Sequence, residues 1–194
     1  MNTQFVYLAS GSPRRRDLLR QIGVPYRIVE IAVDEAVLPG EVAMNYVTRL
    51  AVAKAQAGWK KNPDAPVLAA DTTVVLGGKI LAKPCNRSDA AAMLRELSGQ
   101  THRVLTAIAL STSSGTLQRI SCSEVVFRRI NVAEADLYWD TTEPQDKAGG
   151  YAIQGYAAVF IESLRGSYSG VMGLPLFETA QLLDEVGVPR WQKT

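Results

Sequence analysis

Apolar runs broken by turn residues alternate along this chain with stretches of helical periodicity, which predicts an α/β fold with a central sheet and helices on its faces. Phe5-Val-Tyr-Leu-Ala9 reads as a buried strand. Pro13, tolerated in a first helical turn, then opens a helix that runs to about Ile22 and stops at Gly23, with Ser12 as its N-cap. Further strands are predicted over 26–32 and 66–76, and helices over 41–60 and 88–97, the latter ending before Gly99. Strands near 102–112 and 117–129 flank Ser113-Ser-Gly115 and predict a hairpin. Asn131-Val-Ala-Glu134 has the residues of a helix capping box, and a last helix over about 175–186 ends at Gly187.

Several polar residues stand where this pattern calls for apolar ones. In Leu8-Ala-Ser-Gly-Ser-Pro-Arg-Arg-Arg16, small polar residues and arginines occupy the turn from first strand to first helix. Unpaired N–H groups and the positive end of the helix dipole favour an anion there, Arg14 and Arg15 offer forked donors, and Ser10 and Ser12 add hydroxyls. The same residues also describe an ordinary capped helix with solvated arginines. In the second helix Val47, Leu50, Ala51, Lys54 and Ala55 share one stripe, so Lys54 falls where burial is expected. A buried ammonium requires a partner, and phosphate explains it better than a side chain snorkelling to the stripe's edge.

Asp71 interrupts an otherwise buried strand, between Val67-Leu-Ala-Ala70 and Thr72-Thr-Val-Val-Leu76. Either it bonds local amides at a strand end, or cations compensate it and keep it ionised, able to orient or deprotonate water. Glu35, after the strand from Arg27 to Val33, is a solvent-facing turn residue or the metal-side carboxylate, with Asp71 nearby and Asp34 as second choice. Lys83, stiffened by Pro84 beyond the Gly77-Gly78 turn, is a hairpin lysine or a second phosphate ligand. Asp146-Lys-Ala-Gly-Gly-Tyr-Ala-Ile-Gln-Gly155 is a plain turn or a loop that approaches a flat ligand, in which Gln154 both donates and accepts as reading a pyrimidine edge requires.

Composition narrows the partners rather than the chemistry. With 194 residues, 47% hydrophobic and 21% charged, the chain is long enough to bury a sizeable core, and its net charge of +2 is too small to imply a nucleic-acid or membrane partner. The basic runs Arg14 to Arg16 and Arg128-Arg129 suggest a nucleic-acid module, but few aromatics and no binding motif accompany them. Two cysteines, no signal pattern at the N-terminus and no apolar run of ~18 residues predict a cytoplasmic protein with free thiols, a single Cys85–Cys122 disulfide being the alternative. One histidine and two cysteines cannot build a usual zinc site, so any metal is expected to be hard and oxygen-bound.

The ordered set Ser10-Gly-Ser-Pro-Arg-Arg15, Val33-Asp-Glu35, Arg49-Leu-Ala-Val-Ala-Lys-Ala55, Ala70-Asp-Thr72, Lys83-Pro84, Leu97-Ser-Gly99, Asp146 to Gly155 and Gly173-Leu-Pro175 resembles the Maf family of nucleotide pyrophosphatases over nearly the whole chain. The resemblance implies one Maf-like domain over 1–194, with a central mixed sheet flanked by helices in two lobes and the active cleft between them, similar to the inosine-triphosphate pyrophosphatases. It implies hydrolysis of nucleoside triphosphates to the monophosphate and pyrophosphate, with Asp71 as proton acceptor, Lys54 and Lys83 as further catalytic groups, and Glu35 and Asp71 holding a divalent cation, Mg2+ or Mn2+. Arg14, Thr72 and Gln154 match the family's dTTP and UTP branch, whereas the 7-methyl-GTP branch tends to place Trp at the first position and Gln after the aspartate. Arg14 would repel a methylated, cationic guanine. A homodimer is the expected assembly. The rival expectations are a non-catalytic nucleotide-binding regulator of cell division, suggested by the family's association with septum inhibition, and a pyrophosphatase for purine or modified nucleotides.

Overall fold

The apolar runs pair into one seven-stranded mixed sheet in the structure, a computed structural model that describes residues 5–192. Its strands are β1 (Val6–Leu8), β2 (Tyr26–Ile28), β3 (Val67–Leu76), β4 (Lys79–Leu81), β5 (Thr101–Thr112), β6 (Gly115–Phe127) and β7 (Ile161–Arg165). They lie in the order β2-β1-β3-β5-β6-β7, with β4 alongside β3. β1 is parallel to both of its neighbours, and all the other pairings are antiparallel. The helices are α1 (Pro13–Gln21), α2 (Ala43–Lys61), α3 (Arg87–Leu97), α4 (Val132–Asp140), α5 (Tyr168–Met172) and α6 (Leu176–Glu185), with three short 3-10 segments between residues 143 and 160.

The strand expected over 26–32 is cut to three residues because β1, its parallel partner, itself ends at Leu8. One further bond, from the Val29 N–H to the Leu8 carbonyl, closes the ladder, and the chain leaves the sheet. The hairpin turns through Ser113-Ser114 with Thr112 opposite Gly115, and the capping box of α4 is complete in both directions between Asn131 and Glu134. Ser12 occupies the N-cap of α1, but its side chain makes no capping bond. β4, β7 and α5 are too short to show a period and were not anticipated.

Alternation along β3 sends successive side chains to opposite faces of the sheet. On one face Leu68 and Ala70 pack with Leu18, Leu19, Leu182 and Leu183 from α1 and α6; on the other Val67 and Ala69 pack with Val47, Ala51 and Ala55 of α2. Farther along, Val74 joins a separate core with Leu94 and Leu97 of α3, Tyr138 of α4 and Tyr151. β3 and β5 thus run through two lobes, each with its own apolar centre.

The cleft between the lobes follows from strand length. β5 covers one edge of β3 continuously from Val67 to Val75. On the other edge β1 pairs only with Val67 and Leu68, and β4 only with Val74, Val75 and Leu76. Among the described residues no strand covers 69–73 on that side, and Asp71 and Thr72 lie in the gap.

Candidate active site

A cleft of about 610 Å3 opens at this gap, within the range of small-molecule sites. Five cationic side chains, Arg14, Arg15, Lys54, Lys83 and Lys147, line it against three acidic ones, Glu35, Asp71 and Asp146. Ser10, Ser12, Thr72 and Gln154 line it too, so every site residue expected from the sequence reaches this one cavity except Asp34, the second-choice carboxylate.

The alternation of β3 decides which helix each polar residue meets. Asp71 shares the face of Val67 and Ala69 and so points to α2, whose buried stripe carries Lys54. The Lys54 ammonium donates to Asp71 Oδ1 at 2.6 Å and lies 2.6 Å from Glu35 Oε1, binding a strand residue to a loop residue. Lys54 and Asp71 are each only 7% exposed, whereas the Glu35 side chain is about half exposed at 49%. Burial pushes the Asp71 carboxyl above its ordinary value, against the Lys54 charge and hydrogen bond and the nearby Arg15. Burial acts the same way on Glu35, but there the hydrogen bond and charge of Lys54, with Lys83 and Arg15 adding to them, win and the carboxyl falls below its ordinary value. Lys54 finds carboxylate partners within the protein, where the sequence had pointed to phosphate.

Thr72, on the opposite face, meets α1. Arg15 is held by three acceptors: Nε donates to the Gly173 carbonyl at 2.7 Å, Nη1 to Ser10 Oγ at 3.0 Å and Nη2 to Thr72 Oγ1 at 3.3 Å. Thr106, opposite Thr72 on β5, lies 3.0 Å from the Thr72 hydroxyl and donates to the Gly170 carbonyl at 2.7 Å. Ser10 Oγ also accepts the Ser12 N–H, and the Ser12 hydroxyl, which makes no capping bond, stands at the mouth of α1 beside first-turn N–H groups that no helix carbonyl reaches. Burial pulls the Arg14 guanidinium down from its ordinary value, with Asp146 and Glu143 acting against it. Arg14 Nη1 stands 4.0 Å from Asp146 Oδ2 across the cleft, and Lys147 pairs with the other Asp146 oxygen.

Glu35 is fixed by residues to which the sequence reading gave no role. Arg49, five residues before Lys54 on α2, grips Glu41 through Nε and Nη2 at 2.7 Å each and donates to the Ala36 carbonyl at 2.9 Å. Glu41 also accepts the Leu38 N–H, and chiefly through the Arg49 bonds its carboxyl is held down at about 2. The Tyr46 hydroxyl donates to the Glu35 carbonyl at 3.1 Å. The whole loop is strapped to α2. An acidic residue between a loop and a downstream arginine was the available signal, but nothing in the spacing said that Glu41 would fold back on Arg49. Asp34 turns instead to the Ala36 N–H at 2.9 Å, away from the cleft lining.

No group of three or more His, Cys, Asp or Glu among the described residues is placed to hold a metal ion. Glu35 and Asp71, two carboxylates converging on one ammonium, form a hard oxygen donor pair of the kind that suits Mg2+ or Mn2+ when substrate phosphates and waters supply the remaining ligands. His102 lies outside the cleft: it is 1% exposed, its Nε2 bonds the Tyr151 hydroxyl at 2.7 Å, and burial pushes its pKa down to about 4. Cys85 and Cys122 are both free and exposed. No helix among the described residues is long and apolar enough to cross a membrane.

A two-lobed α/β protein with a cationic cleft, a serine-lined helix mouth and a carboxylate pair at its floor defines a class of phosphate-ester or anhydride site. The description of Maf-like proteins matches residues 5–186, and the chain belongs to that family. It is 55% identical over 198 residues to a dTTP/UTP pyrophosphatase of Aromatoleum aromaticum, covering 95% of this chain and 96% of that one. It is 51% identical over 195 residues to a dTTP/UTP pyrophosphatase of Saccharophagus degradans, covering 98% and 93%. Among solved structures it is similar to the Staphylococcus aureus Ham1 protein, at a TM-score of 0.46 and 14% identity over 63% of this chain and 71% of that one.

Proposed function

We propose that the protein hydrolyses dTTP and UTP to the nucleoside monophosphate and pyrophosphate. The observation that carries this reading is the Lys54 ammonium held at 2.6 Å from both Glu35 and Asp71 on the floor of a cleft whose rim is cationic. The names of the relatives at 51–55% identity support the substrate. Asp71, whose carboxyl burial raises above its ordinary value, takes the proton of the attacking water. Lys54 holds that carboxylate in place. Arg14, Arg15, Lys83, Ser10 and Ser12 surround the triphosphate, so that attack at phosphorus is in line with the departing pyrophosphate, and positioning and charge supply most of the acceleration. Glu35 and Asp71 would hold the divalent cation, which would neutralise charge on the phosphate oxygens.

The base end of the substrate faces Gln154, exposed on the cleft wall formed by the second lobe. Arg15 and Thr72 form one unit, because the Thr72 hydroxyl already contacts both Arg15 and Thr106; Thr72 acts on the substrate by aiming Arg15. We further propose that 1–194 acts as one domain, as a cytoplasmic homodimer that clears surplus or modified pyrimidine nucleotides. Purified protein with Mg2+ or Mn2+ is offered dTTP, UTP, GTP, ITP and 7-methyl-GTP, and released pyrophosphate is measured. Highest catalytic efficiency on dTTP and UTP is expected. A preference for 7-methyl-GTP or ITP would overturn the substrate, and tight nucleotide binding without pyrophosphate release would overturn the enzyme.

A further inference from the structure

Gln154 sits in the middle of a segment that is pinned on both sides by one small polar network. On its N-terminal side the Ala152 N–H donates to the Tyr138 hydroxyl at 3.2 Å. On its C-terminal side the Tyr156 and Ala157 N–H groups donate to the Glu143 carboxylate at 3.1 and 3.2 Å. The Tyr138 hydroxyl in turn donates to Glu143 Oε1 at 2.7 Å and joins the two sides. Gly155, next to Gln154, closes against this carboxylate: a Cβ there would lie 1.8 Å from Glu143 Oε2.

The protein accepts strain to put Glu143 there. Thr142 adopts a φ of 65°, a left-handed conformation that is costly for a β-branched residue and persists only where surrounding contacts impose it. Those contacts are present: Thr141 Oγ1 donates to the Tyr138 carbonyl at 2.7 Å and accepts the Glu143 N–H at 3.3 Å. Tyr138 itself is 4% exposed and packs its ring against Phe160.

We propose that Glu143 and Tyr138 are specificity-positioning residues, which hold residues 152–157 so that Gln154 presents its amide to the nucleobase. This rests on the reading that Gln154 meets the pyrimidine edge. Neither residue touches the substrate; both act through Gln154. The network shares no residue with the Lys54–Asp71 pair, and of the cleft's cations it is Arg14 that feels the Glu143 charge, so its loss should alter the choice among nucleotides more than turnover of the best one.

The test measures the ratio of kcat/KM for UTP to that for GTP in wild type, Glu143→Ala, Tyr138→Phe and Gln154→Ala, and in each of the first two variants combined with Gln154→Ala. Tyr138→Phe keeps the buried ring and serves where Glu143→Ala does not fold. Each single variant should lower the ratio about tenfold. In the Gln154→Ala background neither further change should move it, which a merely structural role would not produce. A lowered ratio in Gln154→Ala with wild-type ratios in Glu143→Ala and Tyr138→Phe would overturn this proposal alone, as would additive losses in the combined variants. An unchanged ratio in Gln154→Ala would overturn the base reading and the proposal with it.

Discussion

Replacing Lys54 by methionine keeps the apolar stem and removes the ammonium that two carboxylates share. Asp71 is the partner that matters for stability, because its side chain is 10% exposed, whereas that of Glu35 is 49% exposed and water answers its charge. Breaking a buried ion pair from one side costs about 3–5 kcal/mol, since the remaining charge is left without compensation. Taking the low end, a loss of about 3 kcal/mol lowers Tm by roughly 6–12 °C for a chain of this size. The loss has a definite pH dependence. Burial already raises the Asp71 carboxyl, and the Lys54 charge and hydrogen bond oppose that rise, so the variant should raise it further. A carboxyl raised in the folded state binds protons more readily there than in the unfolded chain, so its destabilising effect grows as pH increases through the window above ~3.9 and vanishes below it. The gap between wild type and Lys54→Met should therefore be widest near neutrality and should narrow on acidification. Urea and thermal unfolding followed by tryptophan fluorescence at several pH values measures it, and Lys54→Met combined with Asp71→Asn should recover much of the loss. A variant within 2 °C of wild type at neutral pH, or a gap that widens toward acid, would refute the buried pair as the reason for Lys54.

Asp71→Asn should lower turnover ~100-fold or more while calorimetry still detects nucleotide binding. Because the Asp71 carboxyl is raised, the acid limb of kcat/KM in wild type should fall above the ordinary carboxylate value of ~3.9, activity being lost as pH drops and Asp71 takes a proton; a limb at or below that value would remove Asp71 as the base. Arg49→Lys keeps the charge but gives up the paired grip on Glu41 and the bond to the Ala36 carbonyl. The cation concentration for half-maximal activity should rise several-fold, roughly 1 kcal/mol of binding, with kcat at saturating metal little changed; an unchanged metal dependence would show that the strap does not serve Glu35.

The long elements were legible because a period runs through them. The stripe of α2 and the alternation of β3 each repeat often enough to place Lys54 and Asp71 on buried faces without any knowledge of the fold. What sequence could not show was that the two faces belong together. Lys54 could be seen to need a partner and Asp71 to need a cation, yet their spacing along the chain does not distinguish a mutual pair from a lysine on phosphate and an aspartate beside some other cation; only the packing of α2 across β3 does. β4, only three residues long, falls below any period and was not anticipated, yet it is where β4 begins and where β1 ends along β3 that opens the cleft.

The same limit applies to the loops, where the most consequential contacts join residues whose separation carries no pattern. Arg49 and Glu41 are 8 apart, and Glu143 and Ala157 are 14 apart. Each pair fixes one functional side chain from behind: Arg49 and Glu41 the loop of Glu35, and Glu143 with Tyr138 the segment of Gln154. The motifs read from sequence therefore mark the groups that face the ligand, while the groups that aim them look like ordinary surface charges until the backbone folds over them. In both cases a carboxylate accepts backbone N–H groups and a side-chain donor at once, an arrangement that leaves it little freedom. Base selection by Gln154 and cation binding by Glu35 should consequently be separable by mutation, since the two networks share no residue.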